Sequence, residues 1–286
     1  MTNLLEAIFN IVNNNELDLG SYFKSRNKIN AVGDSLEFFI KDAFCNSFNI
    51  TLRDKETAIY PEFFSYIGNS SNPPDLIVKN GDAIEVKKIE SLKTAIALNS
   101  SYPKSKLFSK DPMITNACRT CEEFWESKDI VYAIGVVPKS QNRLKLLWLV
   151  YGDCLAADKQ VYDRIRNGIC NGINQIAGIE FAETNELARV NKVDPLGITY
   201  LRVRGMWGIE NPINIYNYID VDYQDDDDFQ IISIIQENKY LSFPEEIRCK
   251  LENLASDHNI EIKDIRIKSS NNPAKLLNAK LIVYKR

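Results

Sequence analysis

The stretch Asn72–Lys88, which reads NPPDLIVKNGDAIEVKK, contains the signals that decide the fold. Two short apolar runs, LIV and AI, flank Asn80-Gly81, and this dipeptide between apolar runs predicts a β-hairpin. Asp75 stands at the start of the first predicted strand, and Glu85 and Lys87 stand on the second. These charges either keep an exposed hairpin soluble or form a metal site for the hydrolysis of a phosphodiester.

The length of the turn decides whether the three charged side chains can meet. Glu85 and Lys87 are two positions apart, so they share one face of a strand. A two-residue turn would pair Asp75 with Val86 and place Asp75 on the opposite face. A three-residue loop, Asn80–Asp82, would pair Asp75 with Lys87 and align all three side chains. A metal site therefore predicts the three-residue loop, or a β-bulge that shifts the register by one residue.

Asp75, Glu85 and Lys87 are the residue types that metal-dependent phosphodiester hydrolysis requires. A Mg²⁺ ion held by one or two carboxylates keeps positions for water and phosphate, and the Val86 carbonyl is a plausible further ligand. A lysine beside the metal can orient or deprotonate the water, or neutralise developing charge. A second acid-x-lysine triplet, Glu261-Ile262-Lys263, follows a predicted helix and no hairpin turn, so we interpret it as structural.

The composition is that of an ordinary globular protein of 286 residues, with 44% hydrophobic and 26% charged residues and a formal net charge of −4. The single histidine, His258, lies in a polar stretch, which argues against a Ser-His-Asp triad and an HExxH zinc site. Six cysteines and no segment typical of a signal peptide predict a cytoplasmic protein with reduced thiols. Cys118 and Cys121 lack a second ligand pair with zinc-like spacing, so we interpret them as packing residues of a helix.

Periodicity along the chain predicts an α/β fold with a mixed β-sheet flanked by helices. Besides the hairpin, helices are predicted near 1–19, 31–48, 114–128 and 161–176, and strands at 130–138, 144–152 and 198–207. The run Asp225–Asp228 predicts a solvated loop and a boundary between a domain at 1–224 and a small C-terminal α+β extension at 225–286. This extension is predicted to contain one helix and two strands.

Pro74-Asp75, followed after nine residues by Glu85-Val86-Lys87, resembles the PD-(D/E)xK nuclease signature. Members commonly carry a glutamate on the helix before the hairpin, and Glu37 in GDSLE fits that position. Three longer segments resemble the NgoPII type of restriction endonuclease: IALNSSYPKSKL (96–107), NACRTCEEFW (116–125) and NKVDPLGITYLRVRGMWGIENP (191–212). The resemblance covers most of the chain, from Ala31 to Pro212.

This resemblance implies a restriction-endonuclease-like core and a Mg²⁺-dependent endonuclease that cuts double-stranded DNA at a short palindrome of the GGCC type. It implies that Asp75 and Glu85 hold the metal with the Val86 carbonyl, that Lys87 positions or activates the water, and that Glu37 is a further carboxylate of the site. The products would carry 5′-phosphate ends, and a cognate methyltransferase would protect host DNA. A palindrome also favours a homodimer, because symmetric half-sites match symmetric subunits.

Local charge favours a DNA-binding surface next to the hairpin. The segment 79–110 contains seven lysines against three acidic residues, despite the acidic total. Within it, LNSSYPKSK combines hydroxyl, amide and ammonium groups, which are typical phosphate contacts. The candidates are Asn99, Ser100, Ser101 and Lys104, and an ordinary polar loop is the alternative.

Arg202 and Arg204 alternate along a predicted strand and therefore share one face. Arginine bound to guanine O6 and N7 is the commonest specific base contact, so a G-containing site would suit them. A salt-bridged edge strand is the alternative. Weaker candidates for contacts with DNA are Arg119, Arg189, Lys192 and Asn211.

Two other functions remain open at the level of sequence. A nuclease of the same fold could act on DNA structure in repair or recombination, and would then ignore methylation by a partner enzyme. A non-catalytic DNA-binding protein would bind without metal and would not cut.

Overall fold

The computed structural model describes residues 2–14, 17–22, 28–50, 54–69, 72–139, 141–176, 180–182, 184, 186–221, 223, 228–257 and 260–286. For residues 21–22, 28–34 and 256–257 only the course of the backbone is described. His258, most of the run Asp225–Asp228 and the predicted boundary between residues 224 and 225 lie outside these ranges.

Helices of 4 to 18 residues occur along the described part of the chain. They are α1 Leu4–Val12, α2 Lys28–Cys45, α3 Tyr60–Phe63, α4 Asn116–Arg119, α5 Gly152–Leu155, α6 Lys159–Asn174, α7 Pro212–Ile215, α8 Glu237–Ser242 and α9 Glu245–Asp257. Helix α1 begins at the Asn3 cap, whose side chain accepts hydrogen bonds from the N–H groups of Leu5 and Glu6. Helix α2 buries Phe39 and Ile40 and packs against α1. No helix in the described part of the chain is both long and apolar enough to cross a bilayer.

The strands form one large mixed sheet and two small ones. They are β1 Phe64–Asn69, β2 Asn72–Val78, β3 Ala83–Ile89, β4 Ile96–Asn99, β5 Lys106–Phe108, β6 Ser127–Val136, β7 Leu146–Tyr151, β8 Glu180–Ala182, β9 Ala188–Asn191, β10 Leu201–Val203, β11 Trp207–Ile209, β12 Gln230–Gln236, β13 Ile260–Lys268 and β14 Leu276–Lys285. The large sheet has the order β1-β2-β3-β6-β7-β12-β14-β13, with β5 also paired to β6. The small sheets are β10-β9-β8 and β11-β4.

The large sheet is mixed because two of its strand pairs are parallel, β3 with β6 and β7 with β12, while its other pairs are antiparallel. Its central strands are near-continuous apolar runs, as expected for strands covered on both faces. Every residue of β7 is buried, and Trp148 in its middle is fully so. This α/β arrangement, with helices flanking a mixed sheet, confirms the predicted fold class.

Residues beyond 228 continue the same large sheet. Strand β12 pairs with β7 on one side and with β14 on the other. The predicted helix and two strands of the extension are present as α9, β13 and β14. Strand β12 and the short helix α8 were not predicted, although the apolar run QIISIIQ is typical of a buried strand. The position of the domain boundary stays a prediction.

Two of the predicted elements were wrong in detail. The helix predicted at 114–128 ends at Arg119, because the Arg119 guanidinium donates to the carbonyls of Ser109, Asp111 and Ile114 instead of facing solvent. The strand predicted at 198–207 is divided between β10 and β11, which belong to different sheets. In both places tertiary contacts outweigh the local periodicity.

Candidate active site

The hairpin formed by β2 and β3 has a three-residue loop. Leu76 pairs with Ile84, and the Val78 N–H donates to the Asp82 carbonyl at 3.0 Å, so Lys79–Gly81 form the loop. The loop turns through its middle residue, Asn80, which has a φ of 53°. A residue in the left-handed region is usual in three-residue hairpin loops.

The loop therefore has the predicted length but begins one residue earlier than Asn80–Asp82. This register places Asp75 level with Glu85, and not with Lys87 as predicted. Since cross-strand neighbours and residues two apart on one strand point to the same face, Asp75, Glu85 and Lys87 still converge. The condition that the sequence set for a metal site is met by this shifted register.

Side-chain contacts connect the three residues. The Lys87 Nζ lies 2.6 Å from the Glu85 Oε1 and 3.9 Å from the Asp75 Oδ2. The Val86 N–H donates to the Asp75 Oδ2 at 2.6 Å. The Glu85 Oε2 is buried and has no hydrogen-bond partner among the described residues. A buried carboxylate oxygen without a partner is costly, so this atom calls for a cation or a donor that the described residues do not supply.

Burial and neighbouring charges shift the pKa values of both an acidic and a basic group of the site. The pKa of Asp75 is raised to about 7, chiefly by burial and then by the negative charge of Glu85, against the opposing effect of Lys87. Burial lowers the pKa of Lys87, but the charges of Glu85 and Asp75 outweigh this effect and raise it overall. Two carboxylates in one low-dielectric site disfavour each other's ionisation, and a bound cation would remove that penalty.

The donor set fits a hard divalent cation. Within the described ranges, no group of three or more His, Cys, Asp or Glu side chains is arranged so that it could hold a metal ion. Mg²⁺ commonly binds to one or two carboxylates and completes its shell with water and substrate phosphate. Asp75 and the unpartnered Oε2 of Glu85 supply that number of carboxylates, with the Val86 carbonyl available on the same strand.

Comparison with known proteins identifies the family of this chain. The model of the NgoPII restriction endonuclease family matches residues 2–268. The chain is 51% identical over 284 residues to the type II restriction enzyme NgoPII of Neisseria gonorrhoeae, which covers 99% of both chains. The chain belongs to the NgoPII restriction endonuclease family. Its activity is that of a type II restriction enzyme, a site-specific deoxyribonuclease that acts on double-stranded DNA.

Membership in the NgoPII family confirms the predicted resemblance and extends it beyond Ala31–Pro212 to nearly the whole chain. Restriction endonucleases generally use a divalent metal, in agreement with the donor set of the hairpin. No solved structure matches this chain.

Glu37 lies near the hairpin of this NgoPII-family enzyme, on α2. Its Oε1 accepts from the Lys41 Nζ at 2.6 Å, one helical turn along. Its charge contributes to raising the pKa values of both Asp75 and Lys87, although it does not contact either. Lys41 is a neighbour of the site that the sequence analysis missed, and its spacing of four residues from Glu37 was the signal.

The base of the hairpin loop is held from the C-terminal part of the chain. Asp82 accepts a hydrogen bond from the Tyr151 hydroxyl at 2.6 Å and from the Lys239 Nζ at 2.7 Å. Lys239 belongs to α8, and its Nζ also contacts Asp129 at 2.8 Å. This ion cluster connects α8 to the strand that follows the loop.

The predicted phosphate-binding segment lies beside the hairpin. Asn99 ends β4 in a left-handed turn with a φ of 52°, and Ser101 lines the same small cavity as Glu85. Lys104 is buried, and its Nζ lies 2.9 Å from a carboxylate oxygen of Asp111. The role of Lys104 in DNA binding stays a prediction, and a contact with phosphate requires this ion pair to open.

Arg202 and Arg204 converge on one carboxylate. The Arg202 Nε and Nη2 donate to Glu186 at 2.9 and 2.5 Å, and the Arg204 Nε donates to it at 2.6 Å. Both guanidinium groups lower the pKa of Glu186, mainly through the hydrogen bond from Arg202. The arginines are about half exposed, so Glu186 holds them on the surface without burying them.

A shallow cleft joins the two segments predicted to bind DNA. Ser100 and Arg204 line it together with Glu186. Its floor is an aromatic cluster, in which the rings of Tyr102 and Tyr162 stack at 5.4 Å and that of Tyr162 meets Trp207 edge-on at 5.6 Å; Tyr102 and Trp207 also line the cleft. The sequence analysis missed Glu186 and this cluster, because their partners lie far apart along the chain.

The weaker candidates have contacts of their own. Arg189 lies over the ring of Tyr200, and Lys192 pairs with Glu180 at 2.7 Å. Asn211 is buried, where it caps α7 and donates to the Thr94 carbonyl at 3.1 Å. All six cysteines are free thiols, and burial raises the pKa of both Cys118 and Cys121.

Proposed function

We propose that this restriction endonuclease is Mg²⁺-dependent and that Asp75, Glu85 and the Val86 carbonyl hold the ion. The observation that carries the proposal is the buried Glu85 Oε2, which has no partner within the described residues and lies in a site shared with Asp75. The raised pKa of Asp75, caused chiefly by burial and then by the charge of Glu85, also supports a bound cation.

When bound, the metal would polarise the scissile phosphate and make a bound water more acidic. Lys87 would position or activate the attacking water, because its Nζ stands within reach of both carboxylates. The water oxygen forms a bond to phosphorus while the bond from phosphorus to the 3′ oxygen breaks. A proton passes to that leaving oxygen, and the products carry 5′-phosphate and 3′-hydroxyl ends.

Glu37 would serve as an additional carboxylate at the edge of the site. It stands on α2 and pairs with Lys41, and its charge contributes to raising the pKa values of Asp75 and Lys87. In this position it would orient water or a second cation.

DNA would lie over the surface that joins the hairpin to the cleft. Asn99, Ser100 and Ser101, with Lys104 after its ion pair opens, would contact phosphates. Arg202 and Arg204 would read guanines once they leave Glu186, in agreement with a palindrome of the GGCC type. A double-stranded palindrome is read most simply by a homodimer, and a cognate methyltransferase would protect the same site in the cytoplasm of the host.

Digestion of a sequenced plasmid tests the proposal. With Mg²⁺ we expect discrete fragments that all end within one short palindrome, with ligatable 5′-phosphates, and with EDTA we expect no cutting. Methylation of that palindrome should abolish cleavage. Cutting at branched or damaged DNA irrespective of methylation would identify a structure-specific repair nuclease instead, and metal-independent binding without cutting would identify a non-catalytic DNA-binding protein.

A further inference from the structure

Helix α6 is attached to the rest of the chain by its polar side. The Lys159 Nζ reaches Asp111 at 3.4 Å, the Arg166 guanidinium donates to the Glu186 carbonyl at 3.4 Å, and Tyr162 joins the aromatic cluster. None of its residues is buried. The helix is therefore oriented opposite to an ordinary surface helix, whose apolar side faces the core.

The apolar side of α6 faces outward. Its large side chains are between 40% and 53% exposed, and they belong to Val161, Ile165, Ile169 and Ile176. The first three recur every four residues, and Ile176 follows seven residues later in the turn after the helix, so the four side chains form a single stripe. Arg164, three residues after Val161 and four before Gly168, borders the stripe on one side. A contiguous apolar surface of this kind is a typical site of association.

Two glycines, Gly168 and Gly172, lie on the same side of α6 as the stripe. A Cβ atom built on Gly168 or Gly172 would meet nothing within 4 Å among the described residues. Neither has a positive φ, so the backbone does not require glycine there. Glycine inside a helix is destabilising relative to alanine. Space at these two positions is therefore useful only to something that lies against the helix from outside.

The α6 stripe is complementary to itself. If two copies of the helix cross antiparallel with a two-fold axis between residues 168 and 169, Ile165 of one copy lies against Gly172 of the other. In the same arrangement Ile169 lies against Gly168, and Val161 against Ile176. Each large side chain thus meets a glycine or another apolar residue, as an isologous interface requires. Glycines also allow two helices to approach closely.

We propose that a second copy of this chain docks on α6 through this stripe. A helix pair of this length covers only part of the roughly 800 Å² per partner of a stable interface. Strand β9 contacts α6, and the connection after β9 carries the exposed side chains of Leu196 and Ile198. The proposal rests on the homodimer of the proposed function and names the surface that forms it. The dimer also contains two copies of the pair formed by Arg202 and Arg204.

Sedimentation of the full chain tests the interface. We expect the wild-type protein to be a dimer, and Ile165→Asp combined with Ile169→Asp to raise its dissociation constant by at least roughly 100-fold. Leu241→Asp is the matched control, since Leu241 is 54% exposed on α8, away from the stripe, and should leave the dimer intact. A monomeric wild-type protein, or a double variant as dimeric as the control, would overturn the proposal.

Gly172→Leu separates loss of the interface from loss of folding. Leucine is the better helix former, so α6 and the monomer should gain thermal stability, while the filled space should weaken the dimer. Dimers that persist in this variant would contradict the pairing of Ile165 with Gly172. If the wild-type protein is monomeric and the double aspartate variant loses DNA binding, DNA covers the stripe and the proposal fails.

The failure of this proposal and that of the proposed function give different results. Asp75→Asn is expected to sediment as a dimer and to cut no DNA. A wild-type protein that is monomeric and cleaves DNA with Mg²⁺ would refute only the proposed interface. A wild-type protein that dimerises through the α6 stripe but does not cleave DNA with Mg²⁺ would refute only the proposed metal site.

Discussion

The hairpin site and the arginine surface are built in opposite ways. Asp75, Glu85 and Lys87 stand on inner strands of the large sheet, where packing on both sides fixes their positions. Arg202 stands on the edge strand of a three-stranded sheet and Arg204 directly follows it; both are half exposed and held by a single carboxylate, Glu186. Bond cleavage requires groups fixed before the substrate arrives, whereas recognition requires groups that can exchange one partner for another.

The largest expected effect comes from the fixed region. Asp75→Asn removes one metal-binding charge, and we expect cleavage to fall by roughly 10³-fold or more, since a metal contributes several kcal/mol to such transition states. DNA binding measured without metal should stay within a small factor of the wild type, and the loss of like-charge repulsion should not lower the melting temperature. Cleavage by Asp75→Asn at the wild-type rate would show that the hairpin site is not the catalytic region, and the contrast between the two regions would fail.

Lys87→Ala should lower kcat by roughly 100-fold, the typical contribution of a positioned proton-transfer group or charge. Lys88→Ala is the matched control, because Lys88 is the next residue on β3, points to the other face and pairs with Glu90 at 3.5 Å. Equal losses in single-turnover cleavage by both variants would contradict the assigned role of Lys87.

Lys104 is buried, as Glu85 of the hairpin is, and is a candidate for DNA binding, as the arginines are. Lys104→Met leaves Asp111 buried with one partner fewer, and we expect the free energy of unfolding to fall by about 3 kcal/mol. Lys106→Met, in an exposed pair with Asp129, should change it by less than about 1 kcal/mol. Urea titration measures both. Unchanged stability together with a weaker salt dependence of DNA binding would place Lys104 at a phosphate.

The smallest effects are expected at the arginine surface. Arg202→Ala should reduce discrimination against a wrong base by roughly 10- to 100-fold, the worth of one bidentate contact, while the rate on non-cognate DNA changes little. Lys192→Ala, which removes an exposed charge from the neighbouring strand, should weaken binding to all sequences alike. Competition binding with single-base variants of the site distinguishes loss of discrimination from loss of affinity. If Arg202→Ala lost affinity for all sequences equally, Arg202 would have no role in base recognition.

The sequence predicted the elements whose formation depends on nearby residues in the chain. Asn80-Gly81 between apolar runs indicated the hairpin, and the helical spacing of Phe39 and Ile40 indicated α2. The position of the loop was missed by one residue, because Asn80 occupies the middle of the turn and not its start.

Long-range partners could not be predicted in the same way. Arg119 ends its helix by binding carbonyls of the preceding loop, and Glu186 reaches residues 16 and 18 positions further along the chain. The pair between Lys104 and Asp111 is close in sequence, but only the fold shows that it is buried. No periodicity encodes such contacts, because they depend on how separate elements pack.

The contact of Lys239 with Asp82 has a consequence for modular exchange. The motifs that resemble the family lie between residues 31 and 212, yet the hairpin loop is held by a residue of α8. A chimaera that transplanted only the motif-bearing part onto another scaffold would lose this support and would have to re-create it. Homologous recombination between family members should therefore succeed most often when residues 82, 129 and 239 are inherited from one parent.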